Sequence, residues 1–175
     1  AFMSATTGTY EPVSQGAVTG TGSEGDPYQL ITDYKVVSGG DDFLAVTQTV
    51  RYIDGAKQFS VNYTVANVTS PGVDLRFRAT AGADLYIEGD DYGTGLLDPG
   101  PPRFLAGVNN SVGRAGGLIE VPGSEWDAYE VTSFAELWAT IGNPLGSGLD
   151  NTLVEDVVDN GAGVQWNGYS GIGQG

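Results

Sequence analysis

The chain has 175 residues, with 22 acidic and 7 basic side chains for a net charge of -15, and it contains no His and no Cys. That balance excludes broad affinity for nucleic acid or anionic lipid, which depends on clustered Lys and Arg. Missing Cys and His exclude disulfides, thiolate and imidazole catalysis and nearly all zinc sites, so a metal here would be a hard cation held by oxygen.

Hydrophobic residues make up 40% of the sequence, enough for the core of one domain spanning 1–175. No window approaches 18 apolar residues, and the N-terminus lacks a basic segment followed by an apolar one. Neither a membrane span nor a signal peptide is therefore expected. Residues 1–27 are rich in Gly, Thr and Ser, and only 15–19 reads as a short extended piece, an entry segment along a sheet edge.

From Tyr28 the period becomes two. Residues 28–37 and 43–53 are rich in Tyr, Val, Ile and Thr, with a Ser38-Gly39-Gly40-Asp41-Asp42 turn between them. Phe59, Val61, Tyr63 and Val65 alternate with Gln58, Ser60, Asn62 and Thr64, the pattern of a half-buried strand. Asp54-Gly55 predicts a tight hairpin joining 43–53 to 56–66. Alternation resumes at Val73, Leu75, Phe77 and Ala79, followed by a short strand over 83–88.

Residues 96–117, with Pro99, Pro101 and Pro102, show little periodicity and read as a long irregular excursion. A strand is expected at 118–121. Phe134, Leu137, Trp138 and Ile141 recur at helical spacing, and Ser133 with Glu136 forms a capping box, so the one short helix is placed at 133–141 with Gly142 and Pro144 as its stop. Residues 152–158 and 164–166 close the fold, and 167–175 reads as a flexible tail. Many short strands joined by Gly/Pro turns predict an all-β, antiparallel two-sheet sandwich.

Glu88, Asp90 and Asp91 end a strand at a Gly-rich turn that can bend carboxylates toward one point. Three converging carboxylates repel unless a cation screens them, which makes them the candidate calcium ligands, set against a solvent-facing acidic turn. Asp41-Asp42 makes a weaker case. Tyr86, Tyr92, Arg103, Arg114 and Trp126 are the candidate ligand-binding residues on and around the excursion: aromatic rings supply burial and sugar stacking, and Arg supplies bidentate contacts. Their alternatives are ordinary core or rim packing and internal ion pairs, the reading preferred for Arg76 and Arg78. The triplets at Asn62, Asn67 and Asn109 fit a glycosylation acceptor, with Asn62 on the polar face, and Lys35 or Lys57 as an isopeptide donor finds no legible partner. No triad or phosphate loop exists, and the many acids single out no glycosidase pair.

Tyr10-Glu11-Pro12-Val13-Ser14-Gln15, Gly25-Asp26-Pro27-Tyr28, Val46-Thr47-Gln48-Thr49, Tyr63-Thr64-Val65-Ala66-Asn67, Arg78-Ala79, the 88–95 turn and Asp159-Asn160-Gly161-Ala162-Gly163 form an ordered series across residues 10–166. It resembles an uncharacterised β-sandwich module of exported, cell-surface multidomain proteins from Gram-positive, actinobacterial-type bacteria. Relatives often carry Cys near 79–85 and 149–154, where this chain has none. The resemblance implies an extracellular or cell-surface location beside neighbouring domains of the same protein. The expected function is a noncatalytic adhesive or ligand-presenting module for an extracellular glycan or a host or matrix protein. The alternatives are a carbohydrate-binding module, a stalk or spacer, and last a carboxylate-based glycoside hydrolase.

Overall fold

The computed structural model describes residues 9–69, 73, 75–143 and 145–170. It is an all-β fold with two antiparallel sheets and one short helix, the class that the periodicity indicates. Two compact units divide the chain between Leu75 and Arg76.

The first unit is a four-stranded sheet of consecutive neighbours, β1 (Thr9–Gln15), β2 (Tyr28–Ser38), β3 (Asp41–Tyr52) and β4 (Phe59–Asn67). Gly39 and Gly40 take φ of 62° and 92° in the β2–β3 turn, a region closed to β-branched side chains, so the turn falls where the sequence puts it. The β3–β4 hairpin also forms, although its loop is wider than a two-residue turn: Tyr52 pairs with Phe59, and Ala56 N–H donates to the Ile53 carbonyl across Asp54-Gly55. The entry strand lies earlier than the 15–19 piece expected, because β1 pairs with β2 from Thr9 against Val37 to Gln15 against Thr32.

One expectation fails here. The Phe59, Val61, Tyr63 and Val65 face is not half-buried: Phe59 is 67% exposed, and Val61 and Tyr63 are exposed as well. The alternation is present, but β4 is an edge strand with a neighbour on one side, so its side chains have fewer walls to pack against.

The second unit holds a six-stranded sheet in the order β5 (Leu75–Asp84), β10 (Val158–Ser170), β6 (Tyr92–Asp98), β7 (Phe104–Asn109), β8 (Arg114–Ile119), with β9 (Ala128–Ser133) paired to β10. Its core gathers Leu85, Ile87, Leu105, Trp126, Val131, Ala162 and Val164. The predicted irregular excursion at 96–117 is corrected: β6, β7 and β8 form a regular antiparallel meander through it. Glycines hide it from a periodicity reading. A Cβ on Gly117 would stand 2.0 Å from the Leu105 carbonyl oxygen, and one on Gly93 would stand 2.1 Å from that of Val108, so close strand approach excludes side chains there. The tail is likewise corrected, since β10 continues to Ser170; residues 171–175 lie outside the described residues.

The helix, α1 (Phe134–Ile141), starts as expected. Ser133 Oγ accepts from Glu136 N–H at 3.3 Å, and the Glu136 carboxylate accepts from Ser133 Oγ at 2.9 Å and Thr132 Oγ1 at 2.7 Å. Gly142 closes it with φ of -74°, without using a left-handed cap, and Pro144 lies outside the described residues. Leu137 is fully buried and presses on bare backbone: a Cβ on Gly161 would come within 2.8 Å of it, and one on Gly163 within 2.7 Å. Full burial of a Leu side chain contributes about 2 kcal/mol, which holds a helix too short to stand alone.

Candidate ligand-binding face

The register of the four-stranded sheet sorts its side chains onto two faces, because directly opposed residues point the same way. One face carries the cross-strand rows Tyr28–Tyr52–Phe59, Leu30–Val50–Val61, Thr32–Gln48–Tyr63 and Tyr34–Val46–Val65. β1 adds Gln15 beside Thr32, Pro12 beside Tyr34 and Tyr10 beside Val36. The other face is polar and internally paired: Asp33 accepts from Ser14 and Thr47, Lys35 bridges to Asp42 and Glu11, and Arg51 donates to Gln29.

The first face is aromatic and open at its ends. Tyr10, Tyr28, Tyr52, Phe59 and Tyr63 are exposed, whereas Tyr34 in the middle is 7% exposed. Tyr10 meets Tyr34 edge to face with centroids 5.7 Å apart. Burial, then the neighbouring Tyr63 and Tyr10, pushes the Tyr34 phenol well above its ordinary value, so it stays a neutral hydroxyl. A polar row crosses the rings: Gln48 Nε2 donates to Tyr63 Oη at 2.7 Å, and Gln15 Nε2 donates to Thr32 Oγ1 at 3.1 Å.

The 20–27 loop fixes one end of this face. Gly22, at φ 82°, lets the Tyr28 ring lie where a Cβ would be, 2.5 Å from a ring carbon. The Gly22 carbonyl accepts the N–H of Asp54, which ties this loop to the hairpin between Tyr52 and Phe59. The Tyr28 end of the Tyr28–Tyr52–Phe59 row is thus set against backbone at Gly22. Flat rings beside amide and hydroxyl groups can stack on an apolar ligand face while hydrogen-bonding its polar edge.

The site residues expected from sequence are scattered. Arg103 and Trp126 are committed internally: the Arg103 guanidinium binds both oxygens of Glu120, with Nε at 3.0 and 3.1 Å, donates to the Trp126 carbonyl at 2.7 Å, and lies 5.3 Å from the Trp126 ring centroid. Arg103 therefore orders its loop, the alternative weighed for it, and Trp126 belongs to the core. Tyr86 and Tyr92 are exposed on either side of the 87–90 turn, and Arg114 is exposed at the start of β8.

Glu88, at φ 54°, and Gly89, at φ 89°, form that turn, closed by reciprocal Ile87 and Asp90 backbone hydrogen bonds. Asp90 Oδ1 is used by the Tyr92 N–H at 3.0 Å. Among the described residues no group of three or more acidic side chains is placed to hold a metal ion, so the calcium trio of Glu88, Asp90 and Asp91 is not brought together. Of the glycosylation triplets, Asn67 and Asn109 spend their amides on Val73 and Ile87 carbonyls, and Asn62 is exposed on the polar face. Among the described residues no helix is long and apolar enough to cross a membrane.

Sequence reasoning missed the aromatic face because the same residues fit a core-facing strand. A usable signal was present: five of the nine tyrosines fall before residue 64 and fall on one face once the register is known. No protein-family model, curated protein or solved structure matches the chain.

Proposed function

We propose that the protein is a noncatalytic binding module that takes an extracellular glycan on the aromatic face of its four-stranded sheet. The observation that carries this reading is the exposed Tyr28–Tyr52–Phe59 row on the same face as the Gln48–Tyr63 hydrogen bond, with the Leu30–Val50–Val61 row between them. Sugar rings present apolar C–H faces rimmed by hydroxyls, and the arrangement supplies rings for the former and amide or phenol groups for the latter.

Surface display accompanies this reading through the resemblance of residues 10–166 to modules of exported bacterial surface proteins. The strong negative charge favours neutral or cationic ligands over anionic polymers. A glycan array, followed by calorimetry on the hits, tests the proposal. Neutral oligosaccharide binding that is weakened by about tenfold or more in Tyr52→Ala and in Phe59→Ala supports it. Absence of glycan binding, or binding indifferent to both substitutions, overturns it in favour of a spacer or a protein ligand.

A further inference from the structure

Among the strands that end the two sheet paths, β1, β5 and β8 carry features that discourage further pairing. β1 holds Glu11, Pro12 and a bulge between Pro12 and Ser14. β5 carries Arg76, Arg78 and Asp84, and β8 carries Arg114. Charges, proline and bulges are the usual protections of a sheet edge.

β4 has none of them. Its nine residues, Phe59 to Asn67, contain no charge, no Pro and no Gly, its register against β3 runs without a shift, and its first six residues are all exposed. Among the described residues it pairs with β3 on one side and with no strand on the other. A long, uncharged, unbulged edge is a template for an added strand.

We propose that β4 is the pairing edge for β4 of a second copy of the chain, antiparallel and two-fold symmetric about Tyr63. In that register Tyr63 meets its own copy, Val61 meets Val65 and Asn62 meets Thr64 at the centre, while Ser60 meets Ala66 and Phe59 meets Asn67 at the ends, so no charge is set against charge. The whole chain carries -15, which by itself keeps copies apart, but the pairing surface brings no acid against acid. The charges that flank the strand are Arg51, opposite Ser60 on β3, Lys57 before it and Asp42, two residues from the Leu44 that stands opposite Asn67. Repulsion between remote acids is screened by salt, so association strengthens between low and physiological ionic strength.

Sedimentation of the full chain over a concentration series, at low salt and near 0.15 M, tests this directly. The expected result is a monomer–dimer equilibrium shifted toward dimer by salt and weakened at least tenfold in Asn62→Lys/Thr64→Lys, which sets lysines face to face. Because the chain has no Cys, a single introduced thiol can bridge only two copies. Tyr63→Cys is expected to form a covalent dimer faster than Glu11→Cys, since paired strands bring opposed Cα atoms within disulfide range. A wild-type chain that stays monomeric at both salts overturns the proposal, as does Tyr63→Cys that bridges no faster than Glu11→Cys. A dimer indifferent to the lysine pair in a chain that keeps its β spectrum also overturns it.

Discussion

Glu120 accepts both the guanidinium of Arg103 and the backbone N–H of Trp126, at 2.9 Å, while being almost fully buried. A carboxylate in that setting is tolerable only because its lone pairs are filled, so the pair fixes the junction between β8 and the loop that carries Trp126 into the core. Truncating Arg103 to Ala strands the Glu120 charge and is expected to cost about 3 kcal/mol, whereas Arg103→Met/Glu120→Met recovers part of that loss. Denaturant unfolding of the three chains measures both quantities.

The same carboxyl gives the stability a low-pH limit. Hydrogen bonds from Arg103, and then from the Trp126 amide, hold Glu120 below its ordinary value of 4.5. Its contribution is therefore complete above about pH 4.5 and is lost as pH falls through the lower folded value. Glu130 acts with the opposite sign: burial, then the charges of Asp150 and Glu136, raises it, so its contribution fades as pH rises from 4.5 through the raised folded value. Glu130→Gln is expected to raise the melting temperature at pH 7 and leave it unchanged near pH 4, and Glu120→Gln to lower it at pH 7. Calorimetric scans at the two pH values check the crossing.

The elements legible in the sequence were those whose cause is local. The β2–β3 and β3–β4 turns announce themselves through Gly39-Gly40 and Asp54-Gly55, and the α1 cap through Ser133 and Glu136, because each depends on residues within a few positions. The β6–β8 meander was illegible because Gly93, Gly107 and Gly117 are dictated by neighbours distant in sequence, among them Asn160 and the Leu105 backbone. Residues 59–65 show the converse. Their alternation reports correctly which side chains share a face, but exposure depends on what stands over that face, and no pattern within β4 encodes it.

Leu137 seated on Gly161 and Gly163 supplies a sharp test of the helix anchor. A methyl at either glycine would enter within 3 Å of the Leu137 side chain, in a spot walled by Phe134 or Leu149. Gly161→Ala and Gly163→Ala are each expected to destabilise by about 1–3 kcal/mol, the range for overpacking a filled site. Adding Leu137→Ala to either variant cancels much of its individual cost, because the clash and the cavity then offset each other. A double-mutant cycle by urea unfolding reads that coupling.

Phe59 separates binding from folding most cleanly. At 67% exposure it has little burial to lose, so Phe59→Ala is expected to change stability by less than about 0.5 kcal/mol, the usual bound for surface positions. A large exposed ring that contributes little to folding is kept at an expense in solubility, and a stacking role in the Tyr28–Tyr52–Phe59 row offsets that expense. Phe59→Ala should therefore weaken glycan affinity by about tenfold, the effect of removing a 1.4 kcal/mol contact, with the melting temperature essentially unmoved. Phe59→Tyr, which keeps the ring, should retain most of the affinity; a Phe59→Ala chain that unfolds early instead would assign the ring to packing.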